Sequence, residues 1–231
     1  MRLTLEEDAR ARAFIEAHHY SKTFPFALLN VGAWRNGELI GVAVFGTSPH
    51  VHGYARYGLP ASTVELNRLA VIPGQGTGGA SWLISKALGM LTRERPDITD
   101  VLSYCDPAPR FSATGVEVKR AHTGAIYKAA NAREVGRAHP RTILICPNGT
   151  MVTTRTMTDW ITRGKPAALR RLLAQAAPPP VDGETRAEWI ARCLIEAPWR
   201  KVWNPGNVAY AWHLRDAPEI RESAQTCFDF G

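Results

Sequence analysis

A strand pattern, a glycine-rich turn and an amphipathic helix follow one another between residues 63 and 93. Residues 63–72 alternate between two sets of side chains, as the two faces of a strand do, and Pro73 ends the alternation. The turn at residues 74–80 contains four glycines and leads into residues 81–93, where Leu, Ile and Ala recur at helical spacing. Strands joined directly to helices are typical of α/β proteins, so this stretch predicts a sheet with helices packed on it.

The flanking segments extend the α/β pattern. Asn36-Gly37 separates two apolar runs and predicts a hairpin over residues 27–34 and 39–45, because both residues tolerate the positive φ angles of a type I′ turn. The other predicted elements are a helix over 5–18 with Ala9, Ala13, Phe14 and Ala17 on one side, a strand over 98–104, a helix near 123–133, and a hairpin over 142–146 and 151–154. Together they predict an α/β domain over residues 1–157, with a mixed central sheet flanked by helices.

Residues 158–231 differ in composition and predict a basic, helical and aromatic C-terminal extension. Helices are predicted over 159–176 and 184–197, on either side of a stiff proline spacer at 178–180. Four aromatic residues follow at near-strand spacing: Trp199, Trp203, Tyr210 and Trp212. This aromatic density favours an extension that packs on the first domain.

Charge and cysteine use limit the classes of function. The 28 Lys and Arg residues exceed the 21 Asp and Glu residues, and the net charge of +7 favours a polyanionic partner. A solvated basic surface is the alternative. The four cysteines form no Cys-x-x-Cys pair, which argues against a zinc knuckle and a disulfide framework. No apolar run approaches the roughly 20 residues of a membrane helix, and the N-terminus is acidic, so we expect a cytoplasmic protein without a membrane segment.

A candidate site begins at Ser103-Tyr104-Cys105-Asp106, the end of a predicted buried strand. After a basic insert, a glycine turn and the next helix carry His122, Tyr127 and Asn131. Ligands of α/β proteins bind in the crevice at the carboxyl ends of strands, so these polar side chains are candidates for a site. The alternative is an Asp-Pro turn beside a buried tyrosine, which would only support the fold.

The glycine-rich loop is a second candidate site, for an anion. A strand, a tight turn and a helix N-terminus together present free backbone N–H groups that can bind pyrophosphate. No Lys-Ser/Thr pair follows the glycines, so the loop is not a Walker loop. Its Gln-x-x-Gly-x-Ala pattern resembles the coenzyme A loop of GNAT acyltransferases, with these candidate contacts: Gln75, Gly76, Gly78, Gly79, Ala80 and Ser81. A flexible glycine loop without a ligand is the alternative.

The combination of motifs is more specific than any one of them. The motifs are His19-Tyr20-Ser21, Glu65-Leu66-Asn67-Arg68-Leu69, Ser103-Tyr104-Cys105-Asp106 and the His122-Thr123-Gly124 turn with Tyr127 and Asn131. In this order, from about residue 12 to 140, they resemble the Mom family of phage DNA-modification proteins. Members of that family are GNAT-like enzymes that convert the N6 amino group of adenine in DNA to a carbamoylmethyl derivative. One departure is a longer insert, residues 108–121, between the Asp and the His-x-Gly turn.

The resemblance implies roles for particular residues. It implies a catalytic cluster of His19, Tyr20, Asp106 and Tyr127, which the family also associates with an iron ion, and it places Arg68 near an acyl donor such as acetyl-CoA. On their own chemistry, the same four side chains can bind a ferric-type ion or serve as a proton relay, and His19-Tyr20 alone can be a helix cap. The candidate DNA contacts are Arg110, Lys119, Arg120, His122, Lys128 and Asn131.

The resemblance also implies double-stranded DNA as partner, in the cytoplasm of a bacterial host. Adenine inside a duplex is unreachable, so it would have to be flipped out and stacked on an aromatic or apolar group, with Phe45, Tyr54, Tyr57 and Trp34 as candidates. Asp106 or His19 could be the general base. Rival functions are an acetyl-CoA-dependent N-acetyltransferase of a small amine or protein, and a catalytically silent DNA-binding module. Monomer and homodimer both stay open.

Overall fold

The computed structural model of the chain describes residues 1–48, 53–74 and 79–214. Over this part the strands are β1 (Arg2–Leu5), β2 (Leu29–Arg35), β3 (Glu38–Gly46), β4 (Thr63–Val71), β5 (Asp100–Cys105), β6 (Arg110–Phe111), β7 (Glu117–Lys119), β8 (Arg133–Arg137), β9 (Arg141–Ile145), β10 (Met151–Val152), β11 (Arg200–Asn204) and β12 (Val208–His213). The helices are α1 (Asp8–His18), α2 (Gly79–Glu94), α3 (Ala125–Lys128), α4 (Thr154–Arg163), α5 (Pro166–Ala174) and α6 (Arg186–Glu196). None of these helices is long and apolar enough to cross a membrane.

The main sheet, as far as the chain is described, has seven strands in the order β1-β2-β3-β4-β5-β12-β8. Neighbouring strands are antiparallel except β4 and β5, which are parallel. Helix α1 packs on one face, against Val42, Val44 and Ala70, and α2 packs on the other face. This architecture confirms the predicted mixed sheet flanked by helices.

Strands β4 and β5 pair over only a short stretch. Their register runs from Thr63 opposite Asp100 to Glu65 opposite Leu102, and both strands then continue without pairing to each other. An opening therefore separates the second half of β4 from the end of β5. Because strand ends with unpaired backbone groups can accept side chains or ligands, this opening determines where a site can form.

The first predicted hairpin is confirmed. Strands β2 and β3 meet at Asn36 and Gly37, whose φ angles of 51° and 85° are those of a type I′ turn. The predicted strand at 63–72 and helix at 81–93 correspond to β4 and α2, and the predicted hairpin at 142–154 corresponds to β9 and β10. In each of these, the local signal and the tertiary packing agree.

The first helix is shorter than predicted, and its buried face differs. Residues 2–5 form the edge strand β1, paired with β2, so the helix begins only at Asp8. Its buried side chains are Ala11, Phe14 and Ile15, so of the predicted side Phe14 is buried and Ala9, Ala13 and Ala17 are exposed. The predicted stripe consisted mainly of alanine, which buries less apolar area than isoleucine, so Ile15 determines the side that faces the sheet.

The helix predicted near 123–133 is a single turn, α3, and β8 follows it. The chain leaves the turn at Asn131, whose φ of 64° is left-handed. Gly124 precedes the turn with a φ of 76°, and a Cβ there would overlap the Tyr210 ring. Only glycine meets both conditions, so the packing of Tyr210 fixes where this helix begins.

The C-terminal part contains a second, smaller core. Strands β10-β9-β11 form a three-stranded sheet, in the described residues, beneath a core that includes Trp189 and Leu172. The helix predicted over 159–176 is two helices, because Gly164 ends α4 with a left-handed φ of 59° and Pro166 begins α5. Strand β12 then returns to the main sheet between β5 and β8. The extension thus contributes a strand to the main sheet, and a domain boundary between residues 157 and 158 stays a prediction.

Candidate active site

Tyr127 lies beside the opening between β4 and β5. Ser103 Oγ is 3.0 Å from both the Leu66 carbonyl oxygen and the Tyr127 hydroxyl, so one hydroxyl connects the two strands and the tyrosine. The Tyr127 ring stacks on His122, with ring centroids 5.0 Å apart. Burial raises the pKa of Tyr127 to about 12, and the Ser103 hydrogen bond only partly opposes this. Tyr127 is therefore a protonated hydroxyl in the core.

Asp106, directly after β5, is a carboxylate held by three hydrogen-bond donors and an adjacent ammonium. Oδ1 accepts from the Ala108 amide at 3.1 Å and from Asn204 Nδ2 at 3.3 Å. Oδ2 accepts from Arg110 Nη2 at 2.8 Å and lies 3.5 Å from Lys119 Nζ. Burial by itself would raise the pKa of Asp106, but the Arg110 hydrogen bond and the Lys119 charge outweigh it and lower the pKa. Asp106 is thus a fixed negative charge and a weak base.

Lys119 belongs to the insert, and its side chain is buried against Asp106 instead of being exposed to DNA. Residues 110–119 form the β6–β7 hairpin. Lys119 Nζ donates to the carbonyl oxygens of Asp106, Ala108 and Arg120 at 2.8, 2.7 and 3.0 Å. Its side chain is 4% exposed, so the geometry does not support the predicted phosphate contact. Arg110 likewise faces Asp106, whereas Arg120 is 92% exposed and remains available to a ligand.

Asn204 is a site residue that no sequence motif indicates. It ends β11, is 7% exposed, and bonds Asp106 through Nδ2, while its Oδ1 accepts from the Gly206 amide at 2.7 Å. Asn204-Pro205-Gly206 is a typical turn sequence, which was the one available signal. That signal predicts a turn, but it says nothing about a contact with a strand end about a hundred residues earlier.

His19 and Tyr20 follow helix α1 directly, and Tyr20 lies at the mouth of this site. His19 Nδ1 accepts from the Ser21 amide at 3.1 Å. Burial, with the nearby charges of Arg68 and Lys22, lowers the pKa of His19 to about 4, so the imidazole is neutral at pH 7. Tyr20 is 49% exposed, and Arg110 Cζ lies 5.6 Å from its ring centroid. Tyr20 therefore offers an aromatic face next to the Asp106–Arg110 pair.

Arg68 ties this N-terminal segment to β4. Its Nε donates to the Thr23 carbonyl oxygen at 3.1 Å, and its Nη2 donates to Thr23 Oγ1 at 3.0 Å. Nη1 donates to the Asn67 carbonyl oxygen at 2.7 Å. All three nitrogens thus have protein partners, and the role of Arg68 near an acyl donor stays a prediction.

A cleft of about 1040 Å³ lies between these residues and the C-terminal part of the chain. Among its described lining residues, Asp106 is the one carboxylate, and the seven Lys or Arg side chains are Lys22, Arg56, Arg68, Arg110, Lys119, Arg141 and Arg171. Of the predicted site residues, the lining brings together Tyr20, Arg68, Asp106, Arg110 and Lys119. It does not include His19, Arg120, His122, Tyr127, Lys128 or Asn131.

The cleft also narrows the candidates for stacking a base. Phe45 is fully buried in the core, Tyr54 is 8% exposed, and Tyr57 packs edge-on against Tyr104. Trp34 donates to Thr4 and Glu6 near the edge strand β1 and does not line the cleft. Tyr20 is the only Phe, Tyr or Trp side chain in the described lining, and it was not among the residues predicted to stack on the base.

The predicted iron ligands do not fit a metal ion in this arrangement. Both Asp106 oxygens already accept hydrogen bonds, and two cations adjoin them. The Tyr127 hydroxyl is buried against Ser103, and His19 Nδ1 is bonded to Ser21. No group of three His, Cys, Asp or Glu side chains suited to a metal occurs in the described residues. Since adjacent cations would repel a further positive charge, the iron hypothesis is not supported.

The glycine-rich loop is only partly described. Gln75, Gly76 and Gly78 lie outside the described residues, while Gly79, Ala80 and Ser81 form the first turn of α2. That turn carries no acidic side chain, which suits an anion near the helix N-terminus. The start of α2 is thus compatible with a phosphate group of a coenzyme.

Comparison with known proteins gives one family match by sequence. The model of the Mom protein family matches residues 2–174. No curated protein matches the chain. Similar solved structures include an acetyltransferase from Bacillus subtilis in complex with CoA, at 12% identity and a TM-score of 0.42, with coverage of 93% of this chain and 99% of that chain. Another is the ribosomal-protein-S18-alanine N-acetyltransferase from Escherichia coli, at 12% identity and a TM-score of 0.43, with 95% and 97% coverage.

Proposed function

We propose that this protein modifies DNA by converting the N6 amino group of adenine to a carbamoylmethyl derivative. The chain belongs to the Mom protein family and is a transferase, and this proposal proceeds from both. Such a modification would protect phage or prophage DNA from restriction. The observation that carries this proposal is the cationic cleft, in which an exposed tyrosine ring lies beside a fixed carboxylate. Its volume of about 1040 Å³ is at the upper end of ordinary ligand sites and suits a flipped nucleotide with its flanking phosphates.

The charge of the cleft favours an anionic substrate. Seven cationic side chains and one carboxylate line its described surface, so a polyphosphate backbone is attracted and a cationic amine is repelled. This electrostatic preference argues against the rival function, the acetylation of a small basic amine. An adenine base carries no charge, and its phosphates supply the attraction.

Two side chains have direct roles in this proposal. A flipped adenine would stack on Tyr20, which is half exposed at the mouth of the cleft. Asp106 would accept a hydrogen bond from the N6 amine and so orient that nitrogen in the cleft. Because the pKa of Asp106 is lowered, the carboxylate stays ionised at neutral pH. It therefore acts here as a hydrogen-bond acceptor.

An acyl coenzyme A is proposed to bind beside this site, but acyl transfer alone would give an N6-acyl amide, so the nitrogen of the carbamoylmethyl group must come from a further nitrogen-containing reactant. The start of α2, with Gly79, Ala80 and Ser81 in its first turn, would bind the pyrophosphate through backbone N–H groups. Gln75, Gly76 and Gly78 would complete that contact. The opening between β4 and β5 would then receive the arm that carries the acyl group.

The experiment is nucleoside analysis of DNA from cells that express the protein. The digested nucleosides are separated by liquid chromatography and identified by mass spectrometry. Tyr20→Ala is the site variant, and Arg163→Met, on the exposed face of α4, is the matched control. We expect a carbamoylmethyl-adenine peak from the parent and from Arg163→Met, and a much smaller peak from Tyr20→Ala. Unmodified DNA with acetyl-CoA turnover would favour an N-acetyltransferase, and DNA binding without either would favour a silent binding module.

A further inference from the structure

The cationic side chains of the cleft fall into two sets. One set already has protein partners. Arg110 and Lys119 bind Asp106, Arg68 binds Thr23, and Arg56 donates to the Arg137 carbonyl oxygen at 3.0 Å. Lys22 donates to the Ala17 carbonyl oxygen. An entering anion would have to compete with these contacts.

Arg141 and Arg171 form the second set. Both side chains are exposed, both line the cleft, and neither has a hydrogen bond or ion pair with any described residue. Arg141 begins β9 and Arg171 lies in the last turn of α5, so both belong to the wall formed by the C-terminal part of the chain. Guanidinium groups without partners at the rim of a cleft are the first cations that an anion meets, and their fork geometry suits phosphate oxygens.

The position of Arg141 relates this wall to the candidate active site. In the register of β11 and β9, Arg141 is opposite Asn204, and Asn204 donates to Asp106. A phosphate on Arg141 would thus lie one strand away from the residue that holds the carboxylate. Asn148, Thr150 and Thr153 line the same wall with neutral polar side chains, as is common where a protein contacts a nucleic-acid backbone.

We propose that Arg141 and Arg171 bind the phosphates of the DNA strand that flank the target base. The principal phosphate contacts then lie on the C-terminal wall and not on the insert at residues 108–121, whose Arg110 and Lys119 serve Asp106. This inference rests on the proposed DNA-modifying function and adds the residues that hold the backbone.

The experiment measures the affinity for a short DNA duplex by fluorescence anisotropy between 50 and 200 mM salt. The variants are Arg141→Met, Arg171→Met and their double variant, with Arg163→Met as a control outside the cleft and Arg120→Met as the test of the insert. Each phosphate contact adds about 0.9 to the slope of log affinity against log salt. We expect the slope of each single cleft variant to be smaller in magnitude than that of the parent by about 0.9. When the salt concentration rises from 50 to 200 mM, the affinity of the parent should therefore fall by a factor about 3.5 times larger than the affinity of the variant. Both controls should keep the parent slope.

The outcomes separate this inference from the proposed function. A parent protein that does not bind DNA overturns both. A parent that binds DNA, with unchanged slopes for Arg141→Met and Arg171→Met, overturns the arginine assignment alone, and a reduced slope for Arg120→Met would move the contact to the insert. If the two variants keep the DNA slope but lose stabilisation by acetyl-CoA in a melting experiment, the arginines bind a coenzyme phosphate and the assignment is wrong.

Discussion

Lys119→Met tests whether the buried ammonium organises the Asp106 carboxylate. The substitution keeps a flexible stem but removes a charge that donates to three carbonyl oxygens and lies 3.5 Å from Asp106 Oδ2. Lys119 and Asp106 are 4% and 8% exposed, so solvent compensates for little of the loss. Removing one member of a buried ion pair costs about 3–5 kcal/mol when the other charge is left unpaired. Arg110 still pairs with Asp106 in this variant, so we expect a loss of about 1.5–3 kcal/mol in the free energy of unfolding, the value of hydrogen bonds to a charged group.

The assay is urea unfolding at pH 7, followed by tryptophan fluorescence. The matched control is Arg120→Met in the same insert, because Arg120 is 92% exposed and its ion pair with Glu117 spans 3.8 Å. That control should cost less than about 1 kcal/mol. A Lys119→Met protein within 1 kcal/mol of the parent would refute the reasoning.

The pH dependence of stability gives an independent check on the same variant. The pKa of Asp106 is lowered in the folded protein, so its contribution is present above the ordinary value of 3.8 and is lost as the pH falls through the folded pKa. Without Lys119 the pKa is lowered less. The unfolding free energy of Lys119→Met should therefore depend less on pH below about 5 than that of the parent.

Tyr127→Phe should sharply reduce DNA modification, because the Tyr127 hydroxyl lies beside the opening proposed to receive the acyl arm. The lost hydrogen bonds with Ser103 and the Tyr104 carbonyl oxygen should lower the unfolding free energy by only about 1–3 kcal/mol; nucleoside analysis and urea unfolding check both, and normal modification would contradict the site assignment. Gly124→Ala should destabilise more than Gly37→Ala, because both have positive φ but only Gly124 abuts the Tyr210 ring; equal unfolding free energies would contradict this. Burial lowers the pKa of His19 from 6.5 to about 4, so between these pH values the unfolded chain binds more protons than the folded protein, and the free energy of unfolding should rise with pH. His19→Gln should remove that rise, which urea unfolding at about pH 4.5, 5.5 and 6.5 would measure.

The elements that the sequence predicts well are those with local causes. The turn at Asn36-Gly37, the alternation of β4 and the apolar stripe of α2 each contain their signal within a few residues. The errors arise where packing decides. Helix α1 is turned toward the sheet by Ile15, and α3 ends after one turn because the following residues pair with β12. No local pattern contains either partner.

The candidate site was predicted in part for the same reason. Asp106 and Tyr127 were identified because a polar strand end and a glycine turn are visible in the sequence. Lys119 was assigned to DNA as one more basic residue of the insert, and only the hairpin geometry shows that its ammonium points under Asp106. Asn204 reaches Asp106 from the C-terminal part of the chain, a contact that depends on how β11 docks.

The C-terminal segment belongs to the same folded unit as the candidate site, although the family match ends at residue 174. Strand β12 pairs with β5 on one side and with β8 on the other. Its Tyr210 fills the space that requires glycine at position 124, and Asn204, just before it, bonds Asp106. Without this segment, β5 would have an unpaired edge and Asp106 would lose a donor. The strand end that carries Asp106 is therefore completed by residues that the family match does not include.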